Sequence, residues 1–144
     1  MLRTLLILAA LSAVFPARAD LPRIELTAGF YRIDAEVAAN QPDRSQGLMN
    51  RRSMGANQGM LFVFPASAGH CFWMKNTLIP LSIAFLDEKG AIINVDEMAP
   101  QTENNHCPKR PARFALEMNA GWFKAKGLRE GIVIGGIDRA PAAQ

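Results

Sequence analysis

The sequence predicts a single mainly-β domain: an antiparallel β-sandwich or jelly-roll-like barrel with one or two short helices. Three observations predict it. Apolar segments are short, several of them alternate with a period of two, and glycine, proline and Asx-rich turns separate them at close intervals. No internal repeat or low-complexity stretch interrupts the pattern.

Taken in order, Ile24 and Leu26 mark one face of a first strand, and Tyr31, Ile33, Ala35 and Val37 alternate with Arg32, Asp34, Glu36 and Ala38 in a second. Asn40 can cap a short helix with Pro42 just inside its start. That helix is expected to reach about Arg51 and to carry Arg44, Leu48 and Arg51 on one face. A strand over Met60–Phe64 should end at Pro65, and residues 70–76 should form another that leads into the bend at Pro80. Ser82–Leu86 and Ala91–Val95 flank a glycine-containing loop and predict a hairpin. Pro100, Pro108 and Pro111 predict a long irregular loop over 99–112. Phe114, Leu116 and Met118 alternate on a further strand, Trp122–Lys126 form a helical turn stopped by Gly127, and Gly131–Ile137 supply the last strand.

The N-terminus reads as a secretory signal peptide over residues 1–19. Arg3 is its basic start, Leu5 to Phe15 its apolar stretch, and Ala17-Arg18-Ala19 a small-x-small cleavage site. The apolar stretch is shorter than the roughly 20 residues a membrane-spanning helix needs. The expected mature protein is residues 20–144, one exported domain, periplasmic or secreted, with no stable membrane insertion after cleavage, acting as a monomer. Without Arg3 and Arg18, its 14 basic and 13 acidic residues almost cancel, so it has no electrostatic footprint for nucleic acid.

Chemistry-bearing residues concentrate in Phe72-Trp73-Met74-Lys75-Asn76-Thr77. A lysine in an apolar strand needs a paired acid, a wet cleft or a ligand. Trp73 and Lys75 on one strand face could floor a site for a small polar ligand. Equally, Lys75 could pair with an acid such as Glu117. Arg44 and Arg51 suit bidentate capture of carboxylate or phosphate, or a plain salt bridge. Cys71 and Cys107 are the only cysteines, and in an exported chain such a pair predicts a structural disulfide. His70 and His106 directly precede them, but neighbouring strand residues face opposite sides, which argues against a shared zinc ion. Neither a metal nor a cofactor is expected. Nucleophile elbow, phosphate loop and dinucleotide fingerprint are all missing, so no catalytic residue is assigned.

Several segments together resemble the domain of unknown function 192 family. They are Arg44-x-x-Gly47-Leu48-Met49-x-Arg51, Gly59-Met60-Leu61-Phe62-x-Phe64, Phe72-Trp73-Met74-Lys75-Asn76-Thr77-x-Ile79-Pro80-Leu81, Phe85-x-Asp87-x-x-Gly90, Leu116-Glu117 and Gly121. The resemblance spans about residues 25–137. It implies a small, mainly-β domain, often exported, and no established activity. It also places Arg44, Arg51, Lys75, Asn76 and Glu117 in one recurring pattern, from which a polar cluster is expected with Glu117 as counter-ion to at least one base. Two positions depart from the family pattern: Ser82 stands where an aspartate is common, and Gly131-Ile132 where Gly-Asp is common.

The functional expectation is a non-catalytic module binding a small anionic or carbohydrate-like envelope component, with Arg44, Trp73, Lys75 and Asn76 around one shallow pocket. The alternatives are an envelope-acting hydrolase and a structural or partner-docking domain.

Overall fold

The computed structural model describes residues 20–144, so the signal-peptide expectation falls on residues outside the described part. Seven strands form one mixed sheet. They are β1 (Arg23–Ala28), β2 (Tyr31–Ala38), β3 (Gln58–Ala68), β4 (Leu81–Leu86), β5 (Ile92–Met98), β6 (Ala112–Asn119) and β7 (Ile134–Gly135). Their spatial order is β5-β4-β6-β3-β2-β1-β7. A bridge between Ala91 and Val133, supported by Ile92 N–H to Ile132 O at 2.9 Å, ties the two ends of that order together. The sheet therefore curls into a half-barrel.

The pairing is mixed rather than purely antiparallel, because β2 and β3 run parallel. Residues 39–57 lie between them, enough for the crossover a parallel pair requires. That crossover holds α1 (Gln41–Gln46), capped by Asn40, whose side-chain oxygen accepts the Asp43 N–H at 2.9 Å. A second helix, α2 (Trp122–Ala125), follows β6, and Gly127 at φ +65° ends the chain's turn after it.

Strands β3, β4 and β6 are buried on both faces. Leu61, Val63, Ala84, Leu86, Leu116 and Met118 join one core with β1, β2 and α2. Met60, Phe62, Ile83, Phe85 and Ala115 join a second with Leu48 and Met74. This double burial explains why these strands read as near-continuous apolar runs. β3 and β6 approach closely at Gly59, where any Cβ would overlap the Met118 sulfur and the Glu117 carbonyl oxygen. Two layers of loop cover the second core: α1 with the turn behind it, and the 69–80 segment.

Four elements differ from the sequence expectation. The helix stops at Gln46, and residues 47–50 form a turn. Arg51 therefore leaves the Arg44 face and meets Glu36 on β2 at 2.5 Å. β3 runs past Pro65 to Ala68, with its pairing to β6 irregular between Val63 and Ala68. β7 is only two residues long. Residues 70–76 are not a strand. Only Phe72 makes a bridge, exchanging both backbone hydrogen bonds with His106 at 2.8 Å.

Met74–Thr77 is instead a β-turn, closed by Thr77 N–H to Met74 O at 3.1 Å. Asn76 sits at its third position with φ +54°, and its carbonyl accepts the Asn50 N–H at 2.8 Å. Asparagine tolerates this left-handed conformation better than other side-chain-bearing residues. Asn76→Gly should therefore leave stability within about 0.5 kcal/mol, whereas Asn76→Ala should cost about 1 kcal/mol. Urea denaturation of the two variants checks this, and equal midpoints would refute a backbone role.

Candidate functional site

A cavity of about 230 Å³ opens beside the second core. α1 and its following turn contribute Gln41, Arg44, Ser45 and Leu48 to one wall. β3 contributes Phe62 and Phe64, and the 69–80 segment contributes Cys71, Phe72, Trp73 and Thr77. Glu117 reaches it from β6. The walls are aromatic: Phe72 meets Phe62 edge to face at 4.9 Å and Phe64 at 6.1 Å.

Glu117 is only 4 % exposed. Its cross-strand neighbours are Met60 and Ile83, so the flanking strands offer it no polar side chain. Among the described residues, no ion pair or hydrogen bond engages its carboxyl. No side-chain oxygen of the described residues is both sealed and unpartnered, so the carboxyl must keep contact with the cavity. Burial pushes its pKa up to about 8, and Glu117 is therefore mostly unionised at neutral pH. This corrects the counter-ion expectation: Arg51 pairs with Glu36, Lys75 with Glu103, and Glu117 with none of these bases. The cross-strand position of Glu117 sets its carboxyl between Met60 and Ile83, while Arg51 and Lys75 pair with acids elsewhere and Arg44 spends its donors on other oxygens.

Arg44 is anchored otherwise. Its guanidinium donates to the backbone oxygens of Ala39 at 2.7 Å, Val63 at 2.9 Å and Gln144 at 3.1 Å, and to the Gln41 amide oxygen at 3.3 Å. It also lies 5.6 Å from the Phe64 ring centre. Desolvation draws its pKa below the usual arginine value without discharging it. No carboxylate side chain of the described residues pairs with it.

The structure thus brings Arg44, Trp73 and Glu117 to one cavity and leaves Lys75, Asn76 and Arg51 outside it. Trp73, 46 % exposed, lies on its rim. Lys75 projects from the turn into solvent, 5.2 Å from the Trp73 ring and 3.8 Å from Glu103. Both partners of that pair are about half exposed or more, so Lys75→Ala should change stability by less than about 1 kcal/mol. A larger loss in thermal denaturation would mean that Lys75 has a buried role. Gln41, Ser45, Thr77 and the phenylalanine walls were not foreseen as site residues. The hints were that Phe72 and Thr77 fall within the chemistry-bearing run and Phe62 and Phe64 within a segment that carries the family resemblance.

Cys71 and Cys107 form a disulfide, with Cα atoms 4.3 Å apart, next to the Phe72–His106 bridge. It pins the 99–111 loop against the cavity wall. The histidines take separate partners. His106 contacts Asp96 through Nδ1 at 2.8 Å, and His70 stacks on Phe64 at 3.7 Å. Ser82 has its own acid: its hydroxyl donates to Glu97 across the β4–β5 pair at 2.6 Å and accepts the Gly121 N–H at 2.8 Å. Glu97 thereby supplies a carboxylate beside the start of α2.

Fold and site together define a curled, mainly-β domain with one aromatic cavity floored by a buried acid. The chain belongs to the DUF192 family, described as an uncharacterized ACR, whose profile matches residues 24–135. It is similar to a crystal structure of a candidate transcription regulator from Sinorhizobium meliloti 1021. That match has 31 % identity, a TM-score of 0.76, and coverage of 83 % of this chain and 98 % of that one. It is also similar to a protein of unknown function from Novosphingobium aromaticivorans DSM 12444, with 28 % identity, a TM-score of 0.77, and coverage of 89 % and 94 %. No curated protein matches it.

Proposed function

We propose that this protein is a non-catalytic binding module for a small amphipathic molecule, held in the Arg44–Trp73–Glu117 cavity. One observation carries the reading. A buried carboxyl with no partner among the described residues opens into an aromatic-walled space, where it would otherwise forgo the hydrogen bonds that water supplies. A concave site in which apolar walls meet convergent polar groups is a usual form of a ligand pocket. The exported location remains part of the proposal, supported by the disulfide, which persists in oxidising compartments. The ligand would then be an envelope component.

A thermal-shift screen of small envelope metabolites tests the reading, with Trp73 fluorescence as a second signal. A binder should raise the midpoint by mass action and should lose its fluorescence response in Trp73→Phe. If no compound raises the midpoint, the binding reading falls. A raised-pKa acid in a cleft is also the form of a general acid, so the enzyme alternative rests on the same Glu117. Product formation from any binder, lost in Glu117→Gln, would favour that alternative.

A further inference from the structure

We propose that the tip of the β1–β2 hairpin, with α2 and the turn after it, docks on an anionic lipid surface. This patch lies at the start of β2, whereas α1 and the cavity lie beyond the other end of that strand, so the proposal is independent of the binding reading above.

Phe30 carries the apolar half of the argument. Its side chain is fully exposed, at 104 % of its reference area, on the two-residue loop between β1 and β2. The turn does not require phenylalanine: Gly29 takes the positive φ, +59°, and a polar turn residue would serve beside it. Phe30 packs on neither core. A second exposed apolar side chain stands next to the tip. Ala28 pairs with Ile134, so Val133, 53 % exposed, flanks the point where the hairpin turns. Tyr31, 41 % exposed, follows the tip and meets Trp122 of α2 edge to face at 6.3 Å. Such rings, apolar in body and polar at one edge, suit the headgroup level of a bilayer.

Charge selects the partner. The Lys126 ammonium lies over the aromatic pair, 4.7 Å from the Trp122 ring centre and 5.3 Å from that of Tyr31. Lys124 and Arg129 are within three residues of Lys126, so their backbones lie within roughly 11 Å of it. Both are exposed, and neither has an ion-pair partner among the described residues. The one acid of the 122–133 segment, Glu130, is taken by Arg110 at 3.3 Å. On the hairpin, Arg32 and Glu25 offset each other at 3.5 Å. Three cations without an acid therefore accompany a protruding apolar tip. An anionic bilayer answers both features at once, taking Phe30 below the headgroups and the cations against them. A protein partner fits less well. Stable interfaces bury about 800 Å² on each side, and one phenylalanine with parts of a tyrosine and a valine offers far less.

Vesicle co-sedimentation of the mature protein tests the proposal, with phosphatidylcholine vesicles containing about 30 mol % phosphatidylglycerol set against phosphatidylcholine alone. At low salt the anionic vesicles should bind it at least tenfold more tightly, since each basic residue at such a surface contributes about fivefold. That preference should vanish at about 1 M salt, where charges are screened within about 3 Å. Phe30→Ser should weaken binding about tenfold with the thermal midpoint unchanged, because a fully exposed side chain supports no packing. Lys124→Glu combined with Arg129→Glu should abolish the preference for anionic vesicles. Equal binding to both vesicles, or binding that Phe30→Ser leaves unchanged, overturns the proposal. So does an absence of binding to either. A dimer in analytical ultracentrifugation that Phe30→Ser dissociates would also overturn it and give the surface to a second copy of the chain.

Discussion

Replacing Glu117 with glutamine is expected to steepen the stability advantage of the variant as pH rises, by about 4 kcal/mol between pH 5 and pH 9. The sign follows from linkage. Burial raises the folded-state pKa from an ordinary 4.5 to about 8. Between those values the folded state holds a proton that the unfolded chain has released. Stability therefore falls as pH rises through this window: Glu117 costs nothing below it and its full penalty above it. Glutamine is nearly isosteric and does not ionise, so the other titrating groups cancel when parent and variant are compared. Urea denaturation of both proteins at several pH values measures the difference. Parallel stability curves would mean that Glu117 is solvated or paired in solution and would remove the central feature of the site.

Opening the disulfide should have an effect of similar size. Cys71 and Cys107 are 36 residues apart in sequence, and the chain-entropy relation gives about 4 kcal/mol for a loop of that length. Both cysteines are exposed, so a Cys71→Ser, Cys107→Ser pair buries no new polar group. The loss should therefore reflect the missing cross-link alone. Denaturation of this double variant, with the reduced parent as a second comparison, checks the figure. A loss under about 1 kcal/mol would show that the Phe72–His106 bridge and the Met74 N–H to Thr102 O hydrogen bond, at 2.9 Å, hold the loop without help. The same variants should also bind cavity ligands more weakly, because Cys71 lines the wall that the loop supports.

Local signals in the chain were legible wherever neighbours along the sequence decide the conformation. Asn40 and Pro42 announced the start of α1, and the alternation over Tyr31–Ala38 announced β2. Asp87 and Gly90 announced the β4–β5 turn, where the Asp87 side chain accepts the Lys89 N–H at 2.9 Å. The Trp73-Met74-Lys75-Asn76-Thr77 run pointed to the right region and to Trp73 in it, but also to Lys75 and Asn76, which lie outside the cavity. A lysine and an asparagine among apolar residues look the same in sequence whether they enter a pocket or cap a turn. Here Asn76 serves the backbone and Lys75 faces water, while the neighbouring Trp73 and Thr77 meet the cavity.

By itself, the sequence determined the mainly-β class, the two cysteines available to pair, and the family, because each depends on composition, local periodicity or a contiguous motif. Only the tertiary structure decided that β2 and β3 run parallel, that Arg51 turns away to Glu36, and that Glu117 stands unpaired on the floor of a cavity. The physical reason is common to all three. Period-two alternation tells which residues share a face of a strand, but not what that face meets. The partner is set by strands and loops tens of residues away. For a carboxyl such as Glu117, that distant choice between a guanidinium and a layer of methionine, isoleucine and phenylalanine decides whether it carries a charge or a proton.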